Sequence, residues 1–572
     1  MKTFLGAITV CLMVLVLASP FGYSQSGSAK PLTQVVTQSK APVSDRGELV
    51  IPMITWGGDV ATIYAQEQGL FKKEGLETKL EVNNDFPSQV QNCLSGKTPF
   101  LRGTMGMINA AAEVFKKEGL DLVLVYQLTW SNGGDALVAR KSVKRPTSLK
   151  GKTIALQLYG PHMDYMANIL NSASISLSKV NLKWYKELTF PTYDPGSRVV
   201  DPITAFTGDS SIDAVMCIIP DALMLTSGGG TGSGAEGSVK GAKILLSTKT
   251  ANRIISDVYA VRSDYFNANK DKVSRFVHAL LKAQEELDDL LKNKASRRPA
   301  YQQLMTRSAD LLLGAPQAVP DVEGLLMDCE FVGFNGNVAF FTEKGTTRTM
   351  STLTREIQTS FKNMGLMGGN VSLKSASWDY ADLAKGLRNA STKNLTTKAK
   401  FDTKKVKAKI EQKISVEPTT WAEEGTLFQI EIGFAPNQSE FSADDYANDF
   451  KKALEIAETY GGSLITIEGH SDPMGILRAR QKNKPSVEIR QMEQVSKNLS
   501  LQRSESVRES FLSYCKKKGV IIDPTQFVAV GLGVSAPKFS PPRTKDEWAA
   551  NRRVVFRIKQ VEAELNEFVP LD

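Results

Sequence analysis

Phe71-Lys72-Lys73-Glu74-Gly75-Leu76 and, 44 residues later, Phe115-Lys116-Lys117-Glu118-Gly119-Leu120 repeat one pattern. Each copy reads as the end of a helix and the start of a strand. Paired lysines in a last helical turn oppose the macrodipole, Gly takes the left-handed position, and Leu opens an extended run. Residues 76–82 and 120–126 then alternate or run apolar as strands do. Before the first copy, the strand-like run 49–54 leads through Trp56-Gly57-Gly58-Asp59 into a helical stretch; before the second, 108–117 is helical. No third copy follows, so a solenoid is excluded. Strands alternating with helices predict an α/β sheet.

Working outward, 137–139, 153–156 and 214–219 are further strand candidates, and 273–291 is helical with an acidic end. The glycine-rich stretch 228–241 lacks the GxxxxGK[ST] spacing that would cradle a phosphate, and reads as a surface loop. Residues 299–387 mix helices and loops that complete the same unit. A Lys-rich stretch, 393–413, carries Val406, Ile410 and then Ile414 at four-residue spacing, as in a solvated connector helix packing one thin stripe. Pro418 breaks it. From 427 a second pattern begins, in the order β-α-β-α-β-β: strands at 427–432, 464–470, 527–530 and 554–558, with helices starting at the Ser442/Asp445 cap and at Leu501.

Over 572 residues, with 42% hydrophobic and 23% charged, about 150 residues per domain allows three or four folding units. This balance excludes a disordered chain, a collagen-like one and a multi-span membrane protein. The net charge is +9, but 393–413 alone holds eight lysines against Asp402 and Glu411. With +6 of the excess in one segment, no broad basic face remains and nucleic acid is not expected. Met1-Lys2, an apolar run at 4–18 and the small-residue exit near Ser24 read as a secretory signal peptide, residues 1–24. Its apolar run is shorter than the about 20 residues that span a bilayer. Residues 25–46 read as a flexible leader, and 561–572 as a tail. Cys93, Cys217, Cys329 and Cys515 show no CxxC spacing, so neither a metal site nor a cofactor is called for. Export permits disulfides among them, and spacing does not choose a pairing.

Glu468-Gly469-His470-Ser471-Asp472, Asn498-Leu499-Ser500-Leu501-Gln502-Arg503, Gly531-Leu532-Gly533 and Asn551-Arg552-Arg553-Val554 occur in that order. They resemble the OmpA-like peptidoglycan-binding domain, over residues 425–560. The resemblance implies a smaller α/β sandwich that grips the diaminopimelate of the wall peptide through Asp472 and Arg503, with Asn498, Leu499 and Arg552 contributing. One anion and one forked guanidinium suit a group carrying both an ammonium and a carboxylate. The stretch 476–497 is longer than the family's usual connection. It either lids the site or loops away. His470 reads as a structural or rim residue.

Glu67-Gln68-Gly69-Leu70-Phe71-Lys72-Lys73-Glu74-Gly75-Leu76, Ser131-Asn132-Gly133-Gly134-Asp135-Ala136-Leu137, Leu149-Lys150-Gly151-Lys152-Thr153 and Ile212-Asp213-Ala214-Val215 resemble the nitrate/sulfonate/taurine-type solute-binding proteins. The resemblance implies a two-lobed periplasmic-binding-protein fold over 47–392, closing on a small polar or anionic solute delivered to an ABC permease. Strand-end loops nominate Trp56, Gly57, Tyr64, Thr104, Trp130, Gly134, Tyr159 and Gly160 for the pocket. Trp56 and Trp130 would stack a planar ligand, and Tyr159-Gly160-Pro161-His162, before a helix, would favour an anion.

Together these readings describe an exported, non-enzymatic solute-binding protein tethered to peptidoglycan. The connector 393–424 would let its two halves move independently. Alternatives are an envelope scaffold or sensor, and an enzyme akin to those making the thiamine pyrimidine. The chain's three histidines and widely spaced cysteines speak against the enzyme.

Overall fold

The computed structural model describes residues 29–43, 47–189, 199–390, 401–416, 425–434 and 446–560. The expected signal peptide, the tail, the Ser442/Asp445 helix start and residues 393–400 and 417–424 of the connector lie outside the described residues. No described helix is long and apolar enough to cross a membrane.

The chain enters a first lobe through β1 (Glu48–Met53), α1 (Asp59–Glu67), β2 (Glu77–Val82), β3 (Phe100–Thr104), α2 (Met105–Lys117) and β4 (Leu122–Ser131). It crosses at 132–134 to a second lobe of β5 (Asp135–Ala139), β6 (Thr153–Gln157), α3 (His162–Ser172), β7 (Asn181–Tyr185), β8 (Ala214–Ile218) and β9 (Lys243–Ser247). It recrosses at 248–255, and β10 (Ser256–Arg262), α4 (Lys270–Lys292), β11 (Cys329–Phe331), α5 (Met350–Asn363) and β12 (Lys374–Ser375) complete the first lobe. The first sheet runs β11-β4-β10-β3, with β1 and β2 pairing in parallel beside it; the second runs β7-β6-β8-β5-β9. β4, buried at all ten positions, is the central strand the apolar run 122–126 predicts. Both copies of the repeated segment close identically. Leu76 N–H donates to Phe71 O and Leu120 N–H to Phe115 O, each at 2.9 Å, over left-handed Gly75 and Gly119.

A third unit follows: α6 (Thr403–Val416), β13 (Thr426–Gly433), α7 (Ala447–Thr459), β14 (Leu464–His470), α8 (Met474–Gln481), α9 (Ser486–Lys517), β15 (Phe527–Gly533) and β16 (Arg553–Lys559). Its sheet order is β13-β16-β14-β15, with β14 and β15 parallel. Alternation splits the faces. Ile465, Ile467 and Phe527 meet Phe450, Val507 and Phe511 on one side, while Leu464, Val528, Val530 and Leu532 meet Phe401, Val406 and Ile410 on the other. The predicted stripe of the Lys-rich stretch is therefore the cover of a sheet face. Burying each of those aliphatics stabilises by about 1.5–3 kcal/mol.

Three expectations need correction. Residues 29–43, read as a flexible leader, are packed: Leu32 and Val36, one helical turn apart, bury against α2. The second helix of the third unit begins at Ser486 rather than Leu501, because 486–497 extends it instead of looping. The third unit is also not loosely tethered. Leu427, Phe428 and Tyr460 share one apolar cluster with Leu149, Ile154 and Leu246 of the second lobe.

Candidate functional site between the lobes

The two crossing segments are stitched by one side chain. Thr248 Oγ1 accepts N–H bonds from Gly133 (3.0 Å) and Asp135 (3.1 Å), and its own N–H donates to Asp135 O at 2.9 Å. Ser131 Oγ lies 2.6 Å from Asp135 Oδ2. The other Asp135 oxygen is 3.0 Å from Nε2 of His162, a fully buried ring in the first turn of α3 whose Nδ1 has no hydrogen-bond partner among the described residues.

Two residues further along α3, Asp164 reaches across to the first lobe. Its Oδ2 accepts the Gly106 N–H of α2 at 3.2 Å, taking the place an anionic ligand would hold at that helix start. Burial pushes the Asp164 carboxyl up to about 8, helped by Asp257 and Asp135 and opposed by the Gly106 N–H. Burial likewise lifts Asp328 to about 6, with Asp135 adding to it. Asp221 also rises to about 6 through burial, against the bond from Thr189 and the pull of His162. The field between the lobes is acidic.

Trp56 lies on the first crossing: a Cβ at Gly134 would come 2.6 Å from its ring. Its Nε1–H donates to Thr129 Oγ1 (3.0 Å), which meets Asp257 Oδ2 at 3.2 Å. Asp257 and Asp59 grip the buried Arg102 guanidinium, each at 2.8 Å. The deeply buried Arg102 is thus spent on two carboxylates.

The structure brings Trp56, Gly57, Gly134 and Thr104 to the interlobe region. Thr104 turns its hydroxyl to its own helix, accepting Met107 N–H at 3.3 Å. It moves the others away. Tyr64 faces α4, with its hydroxyl 3.4 Å from Glu286. Trp130 is buried, edge-on to Phe340 and with Arg253 over its face at 5.7 Å, so it offers no free platform. Tyr159 donates to Lys30 O, and Gly160 backs onto Gln157 of its own lobe. Sequence reasoning missed Asp135, His162, Asp164 and Thr248. The first two lie inside stretches already singled out, and acid or imidazole beside a glycine turn was the available signal.

In the third unit, Asp472 Oδ1 accepts Met474 N–H at 3.0 Å while Oδ2 lies 3.6 Å from Arg552 Nη1. Arg503, almost wholly buried, lies 5.5 Å from the Phe434 ring; burial and the Arg552 charge lower its pKa. Gly469 and Gly531 explain why these motifs carry glycine. A Cβ there would run into Ser500 O at 1.9 Å and Lys497 O at 2.6 Å, so their absence lets α9 lie on the sheet. Asn498 and Leu499 lie inside α9, not at its start, and the exposed Asn498 accepts from Gln494 at 2.8 Å. His470 is buried and pushed down to about 3 by burial and then Arg553, a neutral core residue. Among the described residues, Cys93, Cys217, Cys329 and Cys515 are unpaired.

A family model described as NMT1/THI5 like matches residues 59–288, from α1 to α4 and across both crossings. A search of curated proteins found no match. Among solved structures, the chain is similar to the Candida albicans CA3427 gene product, which shows the generic periplasmic binding protein fold. The identity is 13%, covering 58% of this chain and 98% of that one, with TM-score 0.39. It is similar to the aliphatic sulphonate binding protein SsuA of Escherichia coli at 14% identity, 57% and 90% coverage and TM-score 0.38. It is also similar to the nitrate-binding protein NrtA of Synechocystis PCC 6803 at 12% identity, 60% and 86% coverage and TM-score 0.38.

Proposed function

We propose that this chain is an exported solute-binding protein of the kind that serves ABC importers, with a C-terminal unit that holds it to the cell wall. The observation that carries the first half is the pair of crossings between two α/β lobes, locked to each other at Thr248 with Asp135 and His162 beside them. Two lobes on two crossings form a hinge, and a hinge lined with buried polar groups suits closure around a small molecule. The match of residues 59–288 to the NMT1/THI5 like model supports this reading.

The charges narrow the solute. Asp135, Asp164, Asp221 and Asp328 surround the junction, Arg102 is already neutralised, and His162 is paired with Asp135. Such a site selects N–H donors: an amine, an amidine or an aminopyrimidine. An oxyanion would find the Gly106 N–H at the start of α2 already taken by Asp164. A thermal-shift screen of the mature protein against alkylamines, aminopyrimidines, sulfonates and nitrate tests this, since a ligand of the folded state raises its melting temperature. Stabilisation by nitrogen bases and none by the anions is expected. Stabilisation by sulfonate or nitrate alone overturns the charge argument, and no response across the panel favours a scaffold.

For the second half, one carboxylate and two guanidiniums gather at Asp472, Arg503 and Arg552, a set matched to an amino acid carrying both charges. This supports capture of a diaminopimelate-type wall peptide, with Asn498 and Leu499 on the adjoining helix face. Co-sedimentation with purified peptidoglycan tests it.

A further inference from the structure

The C-terminal unit does not sit on one lobe; it grips both, and the segment that joins them. On the second crossing, Gly462 N–H donates to Thr250 O at 3.1 Å and Arg253 N–H to Thr459 O at 3.3 Å. Gly462 presses so closely that a Cβ would stand 1.9 Å from Lys249 O. On the first lobe, Glu458 accepts from Thr346 Oγ1 (2.9 Å) and Thr347 N–H (2.8 Å), and Ile521 N–H donates to Gly345 O at 3.1 Å. The same segment returns to the crossing, where Arg348 Nε–H donates to Arg253 O at 2.9 Å. On the second lobe, Gln560 reaches Ile244 O at 3.4 Å, and Leu427 and Phe428 share the apolar cluster of Leu149, Leu245 and Leu246.

Hinge closure rotates one lobe against the other about the crossing segments. A body bonded to both lobes and to a crossing cannot follow both rotations. We infer that the C-terminal unit is a clamp on the hinge, holding the lobes together, so that opening the cleft requires the turn 460–463 and Glu458 to let go. This rests on the solute-binding reading only for its purpose; the clamp is a statement about the lobes. It makes the halves of the chain one coupled system. Whatever loosens the C-terminal unit favours the open cleft, and, by reciprocity, whatever closes the cleft tightens the unit.

The Gly106 N–H offers a readout. It lies at the start of α2, where no carbonyl of its own helix is available, and it donates across the cleft to Asp164. Its hydrogen exchange therefore reports lobe separation through a bond that is not one of the clamp's own. Exchange is measured on the full mature chain without added solute, for wild type, Glu458→Ala and Gly462→Ala, with circular dichroism to verify folding. Gly462→Ala drives the turn off the crossing by steric overlap even where Glu458→Ala only weakens it. Faster exchange at Arg253 and Gly462 together with a rise of about tenfold or more at Gly106 is the expected result. Faster exchange at Arg253 and Gly462 with Gly106 unchanged overturns the clamp, as does unchanged protection at all three in a folded Gly462→Ala protein. Because no solute enters, failure here leaves the solute reading intact, and an empty ligand screen leaves the clamp intact.

Discussion

Two carboxylate sites in this molecule keep opposite company. Between the lobes, Asp135 pairs with His162 at 3.0 Å, and burial lifts Asp164, Asp221 and Asp328 above the usual carboxylate range. In the C-terminal unit, Asp472 stands beside Arg552, and burial and then the Arg552 charge lower the pKa of nearby Arg503. The first arrangement crowds carboxyls that burial holds toward their neutral form. The second sets one carboxylate against two guanidiniums, which under the proposed reading would meet two charges of one guest at once. Residue type alone does not set a site's preference; the neighbours do.

The largest effect that would break this comparison lies in the C-terminal unit. In the full chain, Asp472→Ala and Arg503→Ala should each cost about 2–5 kcal/mol of wall affinity, because the group left behind stays desolvated without its counterpart. Sedimentation with diaminopimelate-type peptidoglycan should then fall by well over tenfold. Unchanged sedimentation in both variants would show that these charges are structural, like the Glu468–Arg557 pair, whose bonds of 3.0 Å are buried.

The two sites also differ in how far they were readable. Asp472, Arg503 and Arg552 stand in contiguous motifs whose glycines are forced by helix-on-sheet contact, so local sequence already carries the geometry. The interlobe site is assembled from long range: Thr248 binds Gly133 across 115 positions, and Asp164 meets Gly106 across 58. No window of sequence holds such pairs. Aromatic residues at strand ends were a poor substitute, since Trp130 and Tyr64 are core. Strand and helix order was legible because period-2 and helix-end signals are local. The docking of the third unit was not, because nothing in a Gly-Gly turn at 461–462 says that a hinge carbonyl will lie under it.

A middle-sized effect sharpens the interlobe half. With Asp164 raised to about 8 in the folded chain, from an ordinary value of 3.8, the folded state holds a proton the unfolded state releases. Stability from this group is complete below about pH 4 and is lost as pH rises through about 8, by at most about 1.4 kcal/mol per pH unit. Melting temperature should therefore decline from about pH 4 to 8 and level off above. In Asp164→Asn the part between pH 7 and 8 should vanish, while the lower part, to which Asp59 near 7 and Asp221 and Asp328 near 6 also contribute, should become shallower but remain. An unaltered upper limb in the variant would mean that Asp164 is already ionised at neutral pH.

The smallest effect concerns the connection between Asp472 and α9. Residues 474–497 form a helical hairpin, α8 against the front of α9, tied by Arg480 Nη2 to Glu493 Oε1 at 2.7 Å. Both side chains are well exposed, and such a pair is worth about 0–1 kcal/mol. The hairpin has other anchors: Ile476 and Ala479 are buried, and the Arg478 guanidinium lies 5.7 Å from the Trp548 ring. Losing the Arg480 pair should therefore leave the hairpin seated. Arg480→Ala is expected to keep wall sedimentation within about twofold of wild type and melting within a degree or two. A loss comparable to that of Asp472→Ala would instead make the hairpin part of the binding surface. It would bring a third guanidinium to the wall peptide and tilt an already net-positive site further toward anions, widening its contrast with the acidic site between the lobes.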